Sequence, residues 1–109
     1  YLSGLSNGGM GSFELLKHRP NMFASAVIIC GGGNPVWAKE FAKSTPVWIA
    51  HGANDQVVKP DFSLKMVEAI INEGGSPKVT FFENVYHNSW DYVFSDAEYL
   101  KWMYSLSKN

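Results

Sequence analysis

Two kinds of apolar pattern follow one another along this chain. Ala26-Val27-Ile28-Ile29 and Val47-Trp48-Ile49-Ala50 are short continuous runs bounded by glycine, proline or polar residues, the pattern of strands buried on both faces. Residues 1–5 read as the end of another strand, and Val79-Thr80-Phe81-Phe82, β-branched and aromatic, as a fourth. Between these runs apolar residues recur at helical spacing. A helix is predicted over 7–17, carrying Met10, Phe13, Leu15 and Leu16 and stopped by His18-Arg19-Pro20. A short one is predicted over 36–42. Over 61–73 the spacing puts Phe62, Met66, Val67, Ile70 and Ile71 on one face, with Pro60 before and Gly74-Gly75 after. Residues 83–91 read as a loop, and 96–106 as the last helix, with Tyr99, Leu100, Met103 and Leu106 facing inward.

Strands alternating with helices imply a mostly parallel sheet, because parallel neighbours cannot be joined by tight hairpins. The predicted class is therefore α/β, a parallel sheet with crossover helices on both faces. Ligands in such sheets bind beyond the carboxyl ends of the strands. The residues to inspect there are Ser6, Gly31, Asp55 and His87. A length of 109 residues suits one domain, 1–109.

Composition narrows the partners. Nine Lys and Arg against ten Asp and Glu give a net charge of -1, so no polybasic surface is available for nucleic acid or anionic lipid. Charged residues make up 17% and aromatics 15%; the low charge hints at missing surface or a missing partner. No apolar run approaches the ~18 residues of a membrane span. The chain reads as soluble, and as secreted or periplasmic if an upstream leader was removed. One cysteine, Cys30, cannot form an intrachain disulfide.

Gly4-Leu5-Ser6-Asn7-Gly8 matches G-x-S-x-G between a strand end and a helix start, the context this motif requires. At so sharp a turn the Ser6 hydroxyl projects above the sheet, and the flanking glycines let strand and helix approach. The helix N-terminus favours negative charge and aims the Asn7 N–H at a developing oxyanion. A Gly/Ser/Asn turn without chemistry is the competing reading. A serine hydroxyl also needs a base, and the base an orienting carboxylate. Asp55 lies a few residues beyond one buried strand and His87 beyond the next, in the order Ser, Asp, His. Singly, Asp55 reads as an Asx-turn residue and His87 as structural; jointly, coincidence is the weaker account.

Other residues rank lower. His18 ends a helix, where its charge would complement the dipole. His51 is expected to hydrogen-bond the backbone of the Asp55 loop rather than act as base. Asp61 reads as a helix cap, and Asp91 follows His87 too closely to reach its far nitrogen. Cys30 reads as an inert buried thiol. Trp37, Tyr86 and Trp90 are candidates to line a substrate cleft, with core cover the alternative.

Tyr-Leu-Ser-Gly-Leu-Ser-Asn-Gly-Gly-Met-Gly, Ile-Cys-Gly-Gly-Gly, Pro-Val-Trp-Ile-Ala-His-Gly-Ala-Asn-Asp-Gln-Val-Val and His-Asn-Ser-Trp resemble the C-terminal half of an α/β-hydrolase. The similar branch is that of predicted peptidases and carbohydrate esterases akin to feruloyl esterases, esterase D and polyhydroxyalkanoate depolymerases. The resemblance implies Ser6 as nucleophile, Asp55 as acid, His87 as base and the Asn7 N–H as half of an oxyanion hole. It implies a small-molecule or polysaccharide-linked ester as substrate, no metal and no organic cofactor. Family members also carry an N-terminal half with the second oxyanion donor. These residues are thus expected to belong to a longer polypeptide or to pair with another chain. The competing expectation is a catalytically silent fragment or binding module.

Overall fold

The computed structural model describes residues 1–106. The chain runs β1 (Leu2–Leu5), α1 (Asn7–His18), β2 (Ala26–Ile29), a 3-10 turn (Pro35–Trp37), α2 (Ala38–Phe41), β3 (Val47–Gly52), α3 (Pro60–Asn72), β4 (Lys78–Phe82), α4 (Ser89–Ser95) and α5 (Ala97–Tyr104). The four strands form one sheet in the order β1-β2-β3-β4, each pair parallel. The register sets Leu5 beside Ile29, Ile29 beside Ala50, and Gly52 beside Phe82. The carboxyl ends are therefore level, and the loops leaving them share one rim.

Side chains alternate across the sheet with period two. Ala26, Ile28, Val47 and Ile49 pack on one face with Phe13 and Leu16 of α1, Phe41 of α2, and Met66, Val67 and Ile70 of α3. Val27, Ile29 and Ala50 pack on the other with Val93 of α4 and Tyr99 and Met103 of α5. Helices cover both faces as expected, but the division differs from the expectation of crossovers on both. Strands laid down in sequential order through right-handed connections put every crossover on the same side. So α1, α2 and α3 share one face, and α4 and α5, which follow the last strand, close the other.

The element boundaries differ in one region. Residues 83–91 are not all loop, because α4 begins at Ser89, and the last helix is shorter than 96–106, running Ala97–Tyr104. Asp96 caps it, accepting a 3.0 Å bond from the Glu98 N–H. Several of the apolar residues that define the helical spacings are exposed: Met10, Leu15, Phe62, Ile71 and Leu100. In α1 the buried stripe is Gly9, Ser12, Phe13 and Leu16. Two of its four positions are small residues that give no hydrophobic signal. No helix among the described residues is long and apolar enough to cross a membrane.

Candidate active site

Ser6 stands between β1 and α1 with φ 51 and ψ -119, a left-handed conformation that costs a non-glycine residue about 1–2 kcal/mol. Its N–H is fixed to the Ile29 carbonyl at 3.0 Å. As the residue capping α1 it makes no side-chain cap. Instead its Oγ lies 2.9 Å from His87 Nε2. The turn is possible because Gly4 has no side chain: a Cβ there would run into the Gly8 carbonyl and Ser12 Oγ. Gly8, in contrast, faces open space. Close approach of helix and sheet is made by Gly9, whose Cβ would stand 2.9 Å from Gly31 Cα. Asn7 opens α1, so its N–H is among those left without an intrahelical acceptor, beside Ser6 Oγ and at the positive end of the dipole.

Asp55 is buried and uses its two oxygens for different purposes. Oδ1 accepts 2.9 Å bonds from the Val57 and Val58 N–H groups, which is the Asx-turn geometry. Oδ2 accepts a 2.7 Å bond from His87 Nδ1. Asp55 thus forms the Asx turn and bonds His87 at the same time. Burial, the largest influence, pushes its pKa up. Bonds from His87, Val58 and Val57 outweigh that and hold the carboxyl below its ordinary value.

His87 bridges the two. Its ring meets Trp90 edge-on, with centroids 5.1 Å apart, which shields one side of the imidazole from water. Its loop is laced to that of Asp55 by bonds from Ala53 N–H to Phe82 O and Asn54 N–H to Val85 O, both 2.9 Å, and from Asn84 N–H to Asn54 Oδ1 at 3.1 Å. The residues predicted from three separate loops are therefore joined in one hydrogen-bonded line from Ser6 to His87 to Asp55.

Of the three aromatic candidates, Trp90 packs on His87 and Tyr86 is exposed beside it. Trp37 is elsewhere. It packs on the α1–α2–α3 core and under the Lys17 ammonium, 5.6 Å from its ring, at the far end of α1. A helix of 12 residues separates that end from Ser6, about 16 Å of axial rise. A cleft role for Trp37 is accordingly replaced by core cover. His18 is exposed at the end of α1, and Asp91 is exposed on α4. Asp61 lies in the first turn of α3, whose cap position is Lys59. His51 does bond the loop backbone, at 2.6 Å from the Val58 carbonyl.

Beneath the site lie Cys30, expected from the sequence as a buried thiol, and Ser89, which the sequence did not single out. Cys30 is fully buried at φ 44, and burial pushes its thiol up, out of the reactive range. Its Sγ reaches the His87 carbonyl at 3.8 Å. Ser89 Oγ, also buried, faces this thiol without closing a hydrogen bond of ordinary geometry. Ligand atoms of Cys30, Asp55 and His87 fall within 4.8 Å of one another, but the carboxylate and imidazole are already committed to each other and to Ser6. A surface depression of about 620 Å³ starts at Asn88 beside His87 and follows one face of α4 past Asp91, Tyr92 and Ser95.

A thermostable esterase of known structure superposes on this chain with a TM-score of 0.90 at 29% identity, covering 96% of this chain and 30% of the esterase. The chain has the α/β-hydrolase fold. Esterase PE8 is similar at a TM-score of 0.77 and 19% identity, over 94% of this chain and 49% of that one. The acylaminoacyl peptidase of Pyrococcus horikoshii is similar at 0.72 and 15%, over 81% and 20%. The chain thus spans under half the length of each, and corresponds to the C-terminal part of these larger proteins. No protein-family model matches the sequence, and no curated protein matches it.

Proposed function

We propose that this α/β-hydrolase chain is the triad-bearing part of a serine hydrolase that cleaves carboxylic esters through an acyl-enzyme. The observation that carries the reading is the continuous line from Ser6 Oγ to His87 Nε2, 2.9 Å, and from His87 Nδ1 to Asp55 Oδ2, 2.7 Å. Ser6 Oγ attacks the ester carbonyl carbon as its proton passes to His87 Nε2. The carbonyl oxygen becomes an oxyanion beside the Asn7 N–H. Collapse expels the alkoxide, which takes the proton from His87, and leaves Ser6 acylated. Water then attacks the acyl carbon, giving its proton to His87, and the acid departs as Ser6 Oγ recovers that proton. Asp55 holds the proton-bearing Nδ1 throughout, so Nε2 keeps its lone pair toward the serine. No step calls on a metal or organic cofactor.

β1 is an outer strand of the described sheet, and its free edge is a ready place for another strand. In this reading residues 1–109 are part of one α/β-hydrolase domain whose upstream polypeptide, or a second chain, pairs with β1 and supplies the second oxyanion donor. Lack of one donor costs about 10²- to 10³-fold. Likeness to the thermostable esterase, 29% identical, favours an ester over an amide, although an amide substrate would use the same proton path.

A fluorophosphonate probe tests the assignment on the 109-residue chain and on any longer polypeptide carrying it. Stoichiometric labelling at Ser6, lost in Ser6→Ala, is expected, with p-nitrophenyl acetate turned over faster than an acylated peptide anilide. Folded protein that resists the probe in both forms would leave a silent binding module instead.

A further inference from the structure

His51 takes no part in the proton path just described, yet it is fully buried and both ring nitrogens are tightly held. Nδ1 is 2.6 Å from Ser63 Oγ, and Nε2 is 2.6 Å from the Val58 carbonyl. A carbonyl can only accept, so Nε2 carries a hydrogen. That same N–H lies 3.3 Å from Asp55 Oδ2, the oxygen that holds His87. Burial, only partly offset by the Val58 carbonyl and the Asp55 charge, pushes the His51 pKa down. At neutral pH the ring is then uncharged, with its lone pair on Nδ1 facing Ser63 Oγ, whose single hydrogen is shared between Nδ1 and the Gly31 carbonyl. Ser63 is itself buried and 2.9 Å from the Gly31 carbonyl at the end of β2.

We infer that His51, fixed by Ser63, is a positioning residue for the Asp55 carboxylate. With the His51 Nε2–H shared between the Val58 carbonyl and Oδ2, the His87 N–H on Oδ2 and two backbone N–H groups on Oδ1, each carboxylate oxygen faces two donors. These contacts oppose rotation of the carboxylate away from His87. The anchor extends from β3 through α3 to the end of β2, so the acid is braced against the sheet rather than against its own loop. This assignment rests on reading Ser6, His87 and Asp55 as the working triad.

The test compares two amides. Asn at position 51 reaches about as far as Nδ1 and keeps Ser63 company, while Gln reaches about as far as Nε2 and keeps the donor toward Asp55. His51→Asn is expected to lower kcat about ten- to a hundredfold, the scale on which small misplacements of reacting groups act, with KM within about twofold. His51→Gln is expected to restore most of kcat. Equal kcat per folded molecule in the two variants, with only their thermal midpoints lowered, would make His51 structural and overturn the inference. A second readout needs neither activity nor a variant. 15N-histidine NMR of the 109-residue chain should find the His51 hydrogen on Nε2 and a protected His87 Nδ1–H; a hydrogen on Nδ1 with a bare Nε2 would refute the contact. Should Ser6 resist labelling while the NMR pattern holds, the hydrolase reading fails and the His51–Asp55 contact survives it.

Discussion

Asp55→Asn keeps the shape of the side chain and removes its charge, so it isolates what the carboxylate does for the imidazole. The Val57 and Val58 N–H groups, each 2.9 Å from Oδ1, both demand an acceptor there. The Asn carbonyl must take that place, which forces its NH2 into the position of Oδ2, 2.7 Å from His87 Nδ1. Two donors cannot share that contact, so the His87 proton moves to Nε2. It then stands between Nε2 and Ser6 Oγ, where a 2.9 Å contact requires a lone pair. A base in the wrong tautomer costs about 10⁴-fold, or about 5.5 kcal/mol in the barrier. The assay is the second-order rate of fluorophosphonate labelling at Ser6.

The same substitution has a stability signature with a definite sign. A hydrogen bond to a buried charge contributes about 1.5–3 kcal/mol. Because the folded pKa of Asp55 is held below its ordinary value, its contribution is fully present above the unfolded carboxylate range and is lost as pH falls through the folded value. Urea midpoints of wild type and Asp55→Asn should therefore differ at neutral pH and converge in acid. Labelling within tenfold of wild type, or midpoints that stay parallel across pH, would refute the reasoning.

Ser6→Gly should abolish labelling yet raise stability by about 1 kcal/mol, since glycine accepts the φ of 51 without strain; urea unfolding reads the gain. Gly8→Ala should be neutral or stabilise α1 by up to about 1 kcal/mol, because its Cβ meets nothing within 4 Å. Gly9→Ala should cost about 1–3 kcal/mol, because its Cβ would press on Gly31 at 2.9 Å; equal thermal midpoints for the two would contradict this packing. His51 is buried with its pKa below the ordinary 6.5. Its folded value is depressed, so stability should be lost as pH falls from that range through the folded value. His51→Gln should flatten this part of a urea-midpoint profile.

Most of the rim was legible because β2 and β3 are buried on both faces. Such strands show as unbroken apolar runs, and the residues just after them are then easy to place. Asp55 was found that way, whereas Ser6 was found through the G-x-S-x-G turn after β1 and His87 through the Ser, Asp, His order in the loop after β4. What escaped is equally physical. Among the described apolar side chains of α4, Trp90 and Val93 pack inward, a stretch too short for periodicity to register, and the exposed Tyr92 blurs the pattern. Trp37 drew attention as an aromatic near a strand end, but the 3-10 turn carries it down the side of the sheet onto Lys17. The role inferred for His51 depends on Ser63, twelve residues away, and on Gly31 in the loop just beyond β2. The spacing of His51 and Asp55 by four residues was the only trace available in the sequence.

The rim poses a problem of distance that the His87 loop solves. β4 lies three strands from β1, about 14 Å at ordinary strand spacing, yet His87 Nε2 lies 2.9 Å from Ser6 Oγ. The loop crosses the ends of the intervening strands. Over β3 its Val85 and Tyr86 carbonyls lie against Gly52, so closely that a Cβ there would collide with both. Over β2 the His87 carbonyl meets the Cys30 thiol at 3.8 Å, and Cys30 itself turns down with φ 44. Gly52 is thus the point that sets the height of the loop. Gly52→Ala should lift the loop and part Ser6 from His87. A displacement on the order of 1 Å lowers reactivity about 10²-fold. Asp55 and His87 ride on loops bonded to each other, so their own hydrogen bond should persist in the NMR spectrum. Wild-type labelling in that variant would mean that the loop reaches Ser6 by some support other than the end of β3.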